Sequence, residues 1–368
     1  MPVPRIRRLL QRCGRISFAP PALRARSATR PTPEDVREAY RLLLGRDPDP
    51  SGFQHWTARL GEMSLEDLVF EFLQSSEFQS RRLARLGAPR SFPAPSSPPP
   101  RMSPLCCQLV TQGQIDSTVY WQWCEALGQP PLYHRKQWEH VYLLQALEEC
   151  GALRAGARGL GFGVGREPVV SVLAKRGCDL LVTDLDDASA ARLGWRQSGE
   201  HSSSLDELHH PELCPRDVFD RHVRHRVQDM NAIGPELREG RFDFVWSLCA
   251  FEHLGSLERG LHFVRGSLAC LRPGAVAVHT TEYNASSNDE TVATGPTVLY
   301  RRRDIENFAE ELRRDGYDLH LNLHPGDGPL DRYCDVPPYR SGVHLKLALD
   351  QFVATSLGLV IRKPMNAD

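Results

Sequence analysis

The sequence predicts an α/β fold, an open sheet with helices on both faces, preceded by a separate small all-helical domain. Three observations carry that expectation. From residue 155 onward, short apolar runs alternate with helical segments, which is the element order of a doubly wound parallel sheet. The first of these runs ends in a turn holding Gly161, Gly163 and Gly165, and the next ends in Asp184. Ahead of both, a Pro-rich stretch over residues 87–104 sets off a segment with helix caps and helical periodicity. At 368 residues the chain is long enough for two or three domains.

Taken in order, residues 1–31 read as a disordered basic N-terminus. The first 33 residues hold eight Arg and no acid, and Pro20-Pro21 interrupts the short apolar face of Ile6, Leu9, Leu10 and Cys13. A targeting segment or an anchor to an anionic surface is the alternative. At Thr32-Pro33-Glu34-Asp35 a cap residue, a Pro in the first turn and two acids start a helix, and Ser64-Leu65-Glu66-Asp67 repeats the pattern. Residues 32–86 are thus a small helical domain whose core takes Val36, Tyr40, Leu43, Phe53, Trp56, Leu68 and Phe72. Asp47-Pro-Asp49-Pro-Ser51-Gly52 imitates half of a calcium loop, but its twelfth position is Ala58, so it reads as a turn with Asp49 capping the next helix. The stretches Tyr40 to Trp56 and Phe72 to Phe78 resemble a bacterial helical domain of unknown function often attached to surface-related or glycan-related proteins.

Residues 105–154 read as a helical lead-in or cap rich in aromatics, among them Tyr120, Trp121, Trp123, Trp138 and Tyr142. The sheet domain, residues 155–368, then opens with Arg158-Gly-Leu-Gly-Phe-Gly-Val-Gly165, a helix over 167–175 and a strand over 178–184. Glycines are wanted in such a turn because a nucleoside cofactor approaches backbone closely at a helix N-terminus, and Asp184, 23 residues after Gly161, suits two ribose hydroxyls. A dinucleotide fingerprint would need Gly at 166, where Arg166 stands. Further strands are expected at 222–228, 241–247, 275–279, 317–323 and 355–361, with a helix over 257–271.

The combination of Gly161-x-Gly163-x-Gly165, Asp184, Asp229, Phe242 to Leu248, Phe251-Glu-His-Leu254 and Leu271-Arg-Pro-Gly274 resembles the class I S-adenosylmethionine-dependent methyltransferases. The resemblance implies a Rossmann-like seven-stranded sheet and S-adenosyl-L-methionine as cofactor. It further implies that Gly161, Gly163 and Gly165 face the methionine and ribose, Asp184 holds the ribose hydroxyls, Asp229 and Met230 border the adenine, and Ser247 lines the pocket floor. One departure is Gly159, where the family has an acid; another is Ala275 after Pro273-Gly274.

An alcohol acceptor needs a base near the carboxyl ends of the fourth and fifth strands. Candidates are His253, Glu252, His279 and Glu282, with His253 first because imidazole titrates near neutrality; Asp335, Tyr339 and His344 are further ones. The polar segment His279 to Asn284 is expected just past its strand, in contact with substrate. The function expected is therefore O-methylation of a small molecule or glycan hydroxyl; a protein or metabolite N-methyltransferase, or a non-catalytic binder of the cofactor, are the alternatives. No metal site is expected, since His201, His209, His210, Cys214, His222 and His225 match no zinc spacing and read as a solvated insertion. Balanced charge (45 Lys+Arg, 46 Asp+Glu) and the absence of a basic stripe argue against nucleic acid, and no apolar run spans a bilayer. Ten Cys without a C-x-x-C pair or signal-peptide pattern point to the cytoplasm. The helical domain is a candidate docking point for a protein partner.

Overall fold

Thr32 and Ser64 cap helices as their sequence context requires. In the computed structural model, which describes residues 30–44, 46–75, 77–78, 97–193, 195, 201–336, 339 and 342–365, each accepts a backbone N–H from the residue three positions on, and Asp35 and Asp67 return the bond. The chain divides into two units, residues 1–90 with 336–340 and residues 91–335 with 341–368. The basic N-terminus and most of the Pro-rich stretch, residues 79–96, lie outside the described residues.

The first unit holds α1 (Pro33–Leu43), α2 (Pro50–Arg59) and α3 (Leu65–Gln74). Tyr40 and Trp56 close on Phe72, with ring centroids 5.0 and 4.7 Å away, over a core completed by Val36, Ala39 and Leu68. Asp49 caps α2 by accepting from the Gly52 N–H at 2.8 Å, so the calcium-like loop is a capped turn.

In the second unit the strands are β1 (Cys107–Leu109), β2 (Arg158–Phe162), β3 (Asp179–Asp184), β4 (Val223–Val227), β5 (Phe242–Leu248), β6 (Leu271–Asn284), β7 (Leu321–Asn322), β8 (Lys346–Leu349) and β9 (Phe352–Arg362). They order as β4-β3-β2-β5-β6-β9-β1-β7, with β8 hairpinned onto β9. From β4 to β6 all pairs are parallel; β9 runs antiparallel to β6 and β1. The α/β class and helix-covered faces are those expected, but β1 and β8 enlarge the sheet beyond seven strands. Chain order reverses between β2 and β5, which places a ligand crevice at their carboxyl ends.

The helices of this unit are α4 (Gln112–Ile115), α5 (Thr118–Ala126), α6 (Arg135–Glu149), α7 (Val169–Lys175), α8 (Asp187–Leu193), α9 (Leu205–Leu208), α10 (Arg216–His222), α11 (Leu257–Ser267) and α12 (Arg302–Arg314). Alternate residues of the strands serve opposite layers. Phe244, Trp246, Val276 and Val278 pack with α5, α6 and α7, whereas Val245, Ala275 and Ala277 pack with Phe263, Val264 and Phe308 of α11 and α12. No helix among the described residues is long and apolar enough to cross a membrane.

Two expectations need correction here. The polar segment His279 to Asn284 does not follow its strand; it continues β6, entirely buried, because β9 keeps pairing with it as far as Asn284 opposite Ala354. Residues 97–104 belong to the second unit and not to a linker: Met102 is 1% exposed in its core, and the carbonyls of Pro98, Pro100 and Arg101 accept from Asn322, Gln114 and Gln108.

Candidate active site

The turn after β2 has the backbone that only glycine adopts without strain, with φ of 58° at Gly163 and 51° at Gly165. A Cβ at Gly163 would stand 3.0 Å from Cβ of Ala250 and 3.1 Å from the Met230 sulfur, so the ends of β2, β4 and β5 converge on this glycine. Asp184, buried at the end of β3, accepts from Gly165 N–H at 3.1 Å and Ser202 N–H at 3.4 Å on one oxygen and from Leu185 N–H at 2.8 Å on the other. Burial lifts its pKa above the ordinary carboxylate value. Asp229 is exposed and caps the short helical turn Met230–Ala232, accepting from Asn231 N–H at 2.8 Å. Gly161 answers to a neighbouring side chain: its Cβ would lie 2.4 Å from the Trp246 ring, one strand away on β5. Gly159 meets Phe244 in the same way at 2.4 Å, so the acid of the resembling family has no room there.

At the carboxyl ends of β5 and β6, the first turn of α6 brings charge into the sheet. Arg135 lies 2.6 Å from Glu282 and 3.6 Å from Glu139, and Lys136 reaches Glu139 at 3.6 Å and Glu282 at 3.8 Å. Glu139 also accepts from the Cys249 thiol at 3.1 Å, the Thr280 hydroxyl at 3.4 Å and the Ser356 hydroxyl. Glu252, fully buried, accepts from the Thr281 hydroxyl at 3.1 Å. Its Oε1, Glu282 Oε2 and Arg135 Nε are sealed from water with no hydrogen-bond partner. Two cations thus face three carboxylates. Burial is the main reason that Glu252 is pushed up to about 8, with the Glu282 charge adding to it against the pull of Lys136. Glu139 goes the other way: burial would raise it, but Lys136 and Arg135 hold it below the usual value.

Cys249, at φ 43°, ends β5 with its N–H donated to the Thr280 carbonyl at 3.1 Å and hydroxyl at 3.0 Å. Its sulfur and the Glu252 and Glu282 carboxylates come within 4.8 Å of one another. A sulfur with two carboxylates is a donor set a divalent cation could use, yet Arg135 at 2.6 Å already supplies positive charge to Glu282.

The sequence-derived base candidates divide. Glu252, Glu282 and His253 are brought together: His253 Nε2 is 3.8 Å from Glu252 Oε1, while its Nδ1 faces the Pro296 carbonyl at 2.7 Å and its ring meets Trp195 edge-on. His279 is not among them. Its ring is wedged between the Ser247 hydroxyl at 2.8 Å and the Ser267 hydroxyl at 3.1 Å, in the opposite layer beside Phe251 and Phe263. Ser267 donates to the Val264 carbonyl, so it accepts from Nε2–H, and Ser247 donates to Nδ1. Burial holds that imidazole neutral, down to about 3. The Ser247 hydroxyl, expected in the pocket floor, is engaged with the His279 ring. Asp335 and His344 form a buried pair at 2.7 Å, the His344 ring stacked on His134 at the start of α6. His201, His209 and His222 bond to Leu185, Cys214 and Asp179 separately.

Sequence reasoning missed Arg135, Lys136 and Glu139. Their signal was a charged first turn on a helix otherwise read as aromatic core.

A family model described as a methyltransferase domain matches residues 134–328, more than half of the chain. Another, described as a domain of unknown function (DUF4214), matches residues 28–82. No curated protein matches. Similar solved structures include the CurJ carbon methyltransferase, 14% identical with 63% of this chain and 54% of that chain covered at a TM-score of 0.35. The glycopeptide N-methyltransferase MtfA is 15% identical (60% and 95% covered, TM-score 0.36), and the N-methyltransferase NodS from Bradyrhizobium japonicum WM9 is 15% identical (61% and 94%, TM-score 0.35). The chain spans about half the length of the first of these structures. With the domain match covering more than half of its residues, this chain belongs to the methyltransferase-domain family.

Proposed function

We propose that the methyl acceptor is a hydroxyl group of a small molecule or glycan and that Glu252 takes its proton. The observation that carries this reading is the Glu252 carboxylate itself: fully buried, with one unpartnered oxygen, two residues past the Ala250 that closes on Gly163. A sulfonium methyl is already activated, so what the protein must add is alignment, exclusion of water and a home for the proton. A carboxylate made more basic by burial is suited to that last task near neutral pH. His253, 3.8 Å away and partly exposed, would pass the proton outward, and Arg135 and Lys136 would pair with Glu282 and Glu139 beside it.

On the cofactor side, the turn of Gly161, Gly163 and Gly165 would take the ribose and methionine, Asp184 the ribose hydroxyls with its remaining lone pairs, and Asp229 with Met230 the adenine. Gly163, at φ 58°, leaves that turn without a side chain, which supports close approach of a ligand to its backbone. The resemblance of the helical unit to a domain often attached to surface-related or glycan-related proteins supports a glycan acceptor and a docking role toward a protein partner; the cysteine pattern of the sequence supports a cytoplasmic setting.

Incubation with methyl-labelled cofactor and fractionated bacterial extract tests the acceptor. Label in a carbohydrate or small-molecule fraction, recovered as a methyl ether, is the expected result; label in protein alone, or on nitrogen, overturns it. Glu252→Gln should lower turnover by about 10²-fold or more while S-adenosylhomocysteine still binds. Wild-type turnover in that variant would remove Glu252 as base.

A further inference from the structure

The Cys249 thiol takes no part in the proton transfer assigned to Glu252, yet it shares its space with two incompletely satisfied carboxylates. Cys249 and Glu252 stand three residues apart just past the end of β5, and Glu282 lies on the neighbouring strand β6. The sulfur and one oxygen of each carboxylate come within 4.8 Å of one another. Glu252 Oε1 and Glu282 Oε2 are sealed from water with no hydrogen-bond partner, on side chains that are fully buried and 7% exposed. Arg135 and Lys136 approach Glu282 through its other oxygen, Oε1, at 2.6 and 3.8 Å. A buried acceptor left unmet is costly, and two of them beside one sulfur make an unfilled cation site.

Charge and donor type say which cation. With the thiol ionised, the four anionic groups of Cys249, Glu139, Glu252 and Glu282 face two cationic side chains, Arg135 and Lys136. A dication brings these buried charges into balance, where a monovalent ion would leave one unmatched. A thiolate with carboxylates suits zinc, whereas magnesium and calcium take oxygen ligands. A tetrahedral zinc ion, with bonds of about 2.0–2.3 Å, holds its ligands roughly 3–4 Å apart, so a contraction of about 1 Å closes the set. Cys249 is partly exposed, which gives an ion its way in. Glu139 loses the thiol as a donor and keeps Arg135, Lys136 and the hydroxyls of Thr280 and Ser356. We propose that Cys249, Glu252 and Glu282 form a site for a divalent cation of zinc's class, and that the bound ion holds methyl transfer off by occupying Glu252. Binding sends the thiol proton to solvent, and the sulfur and two oxygens each give the ion a lone pair; nothing is oxidised. The inhibition rests on the reading of Glu252 as base, and the site does not.

Cobalt(II), which takes zinc's ligands and reports them by absorption, tests the site without turnover. Titrated into the reduced full-length protein, it should raise a thiolate-to-metal charge-transfer band that saturates at about one equivalent and that zinc removes. Cys249→Ser, a change of one atom, should lack the band, and Cys334→Ser, at another partly exposed cysteine, should keep it. Glu282→Gln should weaken zinc by at least about 10-fold in competition with a chromophoric chelator. No band in the wild type, or the same band in Cys249→Ser, would overturn the site, and the wild-type titration decides even where a variant does not fold. Zinc-loaded protein should methylate the acceptor fraction about 10²-fold or more slowly than protein stripped by chelator, the contribution of a general base. Equal rates would overturn the inhibition. Failure of the base alone looks different: wild-type turnover in Glu252→Gln, with the cobalt band of the wild type intact.

Discussion

Glu252 sets up an opposition between stability and chemistry at one residue. Its folded pKa is raised from 4.5 to about 8, so over that interval the folded protein binds more protons than the unfolded chain, and stability falls as pH rises. The contribution is complete below pH 4.5 and gone above about 8. Glu252→Gln, which keeps the shape and cannot ionise, should therefore melt close to wild type at pH 5 and higher than wild type at pH 8, read by thermal scans across that range. Wild-type turnover should climb with pH toward the same value as the base ionises. Parallel melting curves at every pH would show that the carboxyl is not buried neutral. Gly163 makes a second case at this scale. Gly163→Val adds a side chain at φ 58°, against Ala250 and Met230, and should abolish S-adenosylhomocysteine binding in calorimetry.

At the scale of elements, the sheet shows what a sequence discloses and what it withholds. The parallel strands β2, β3 and β5 were legible because each is an apolar run bounded by turn residues, and α1 and α3 because their caps are local. β6 was legible only in its apolar half. His279 to Asn284 looks like a loop by composition, and its burial depends on β9, whose partner residues lie 70 to 80 positions later. The glycine turn was found, but Gly161 and the Gly159 before it had reasons invisible without pairing. Register sets Gly159 opposite Phe244 and Gly161 opposite Trp246, and each large ring occupies the space of a missing Cβ. Gly161→Ala should thus destabilise by roughly 1–3 kcal/mol through overpacking. In a denaturant series the double variant Gly161→Ala with Trp246→Leu should lose less than the sum of the two single changes. The cluster at the start of α6 was withheld for the same reason: Arg135, Lys136 and Glu139 gain meaning only when the helix is laid on β6 and β9.

For the whole molecule, the boundary between its two units decides what can be removed. Pro-rich composition places an interdomain connection over residues 87–104, and a truncation beginning at 105 would respect that reading. The packing does not. Met102 is buried in the core shared by α5 and α6, Gln114 and Gln108 donate to the carbonyls of Pro100 and Arg101, and Asn322 of the edge strand β7 donates to Pro98. Proline-rich sequence is extended but still offers carbonyls, so it serves as a strap across donors as readily as a spacer. A chain starting at residue 97 should then bind S-adenosylhomocysteine with the affinity of the full protein, since the glycine turn, Asp184 and Met230 all lie in the second unit. A chain starting at 105 loses the Met102 side chain from the core, at about 2–5 kcal/mol for a fully buried methionine, and leaves the Gln108 and Asn322 side-chain amides without their acceptors and Gln114 with the Leu109 carbonyl alone. Its melting temperature should fall by about 5 °C or more relative to the longer form. Equal stability of the two truncations would return residues 97–104 to the linker.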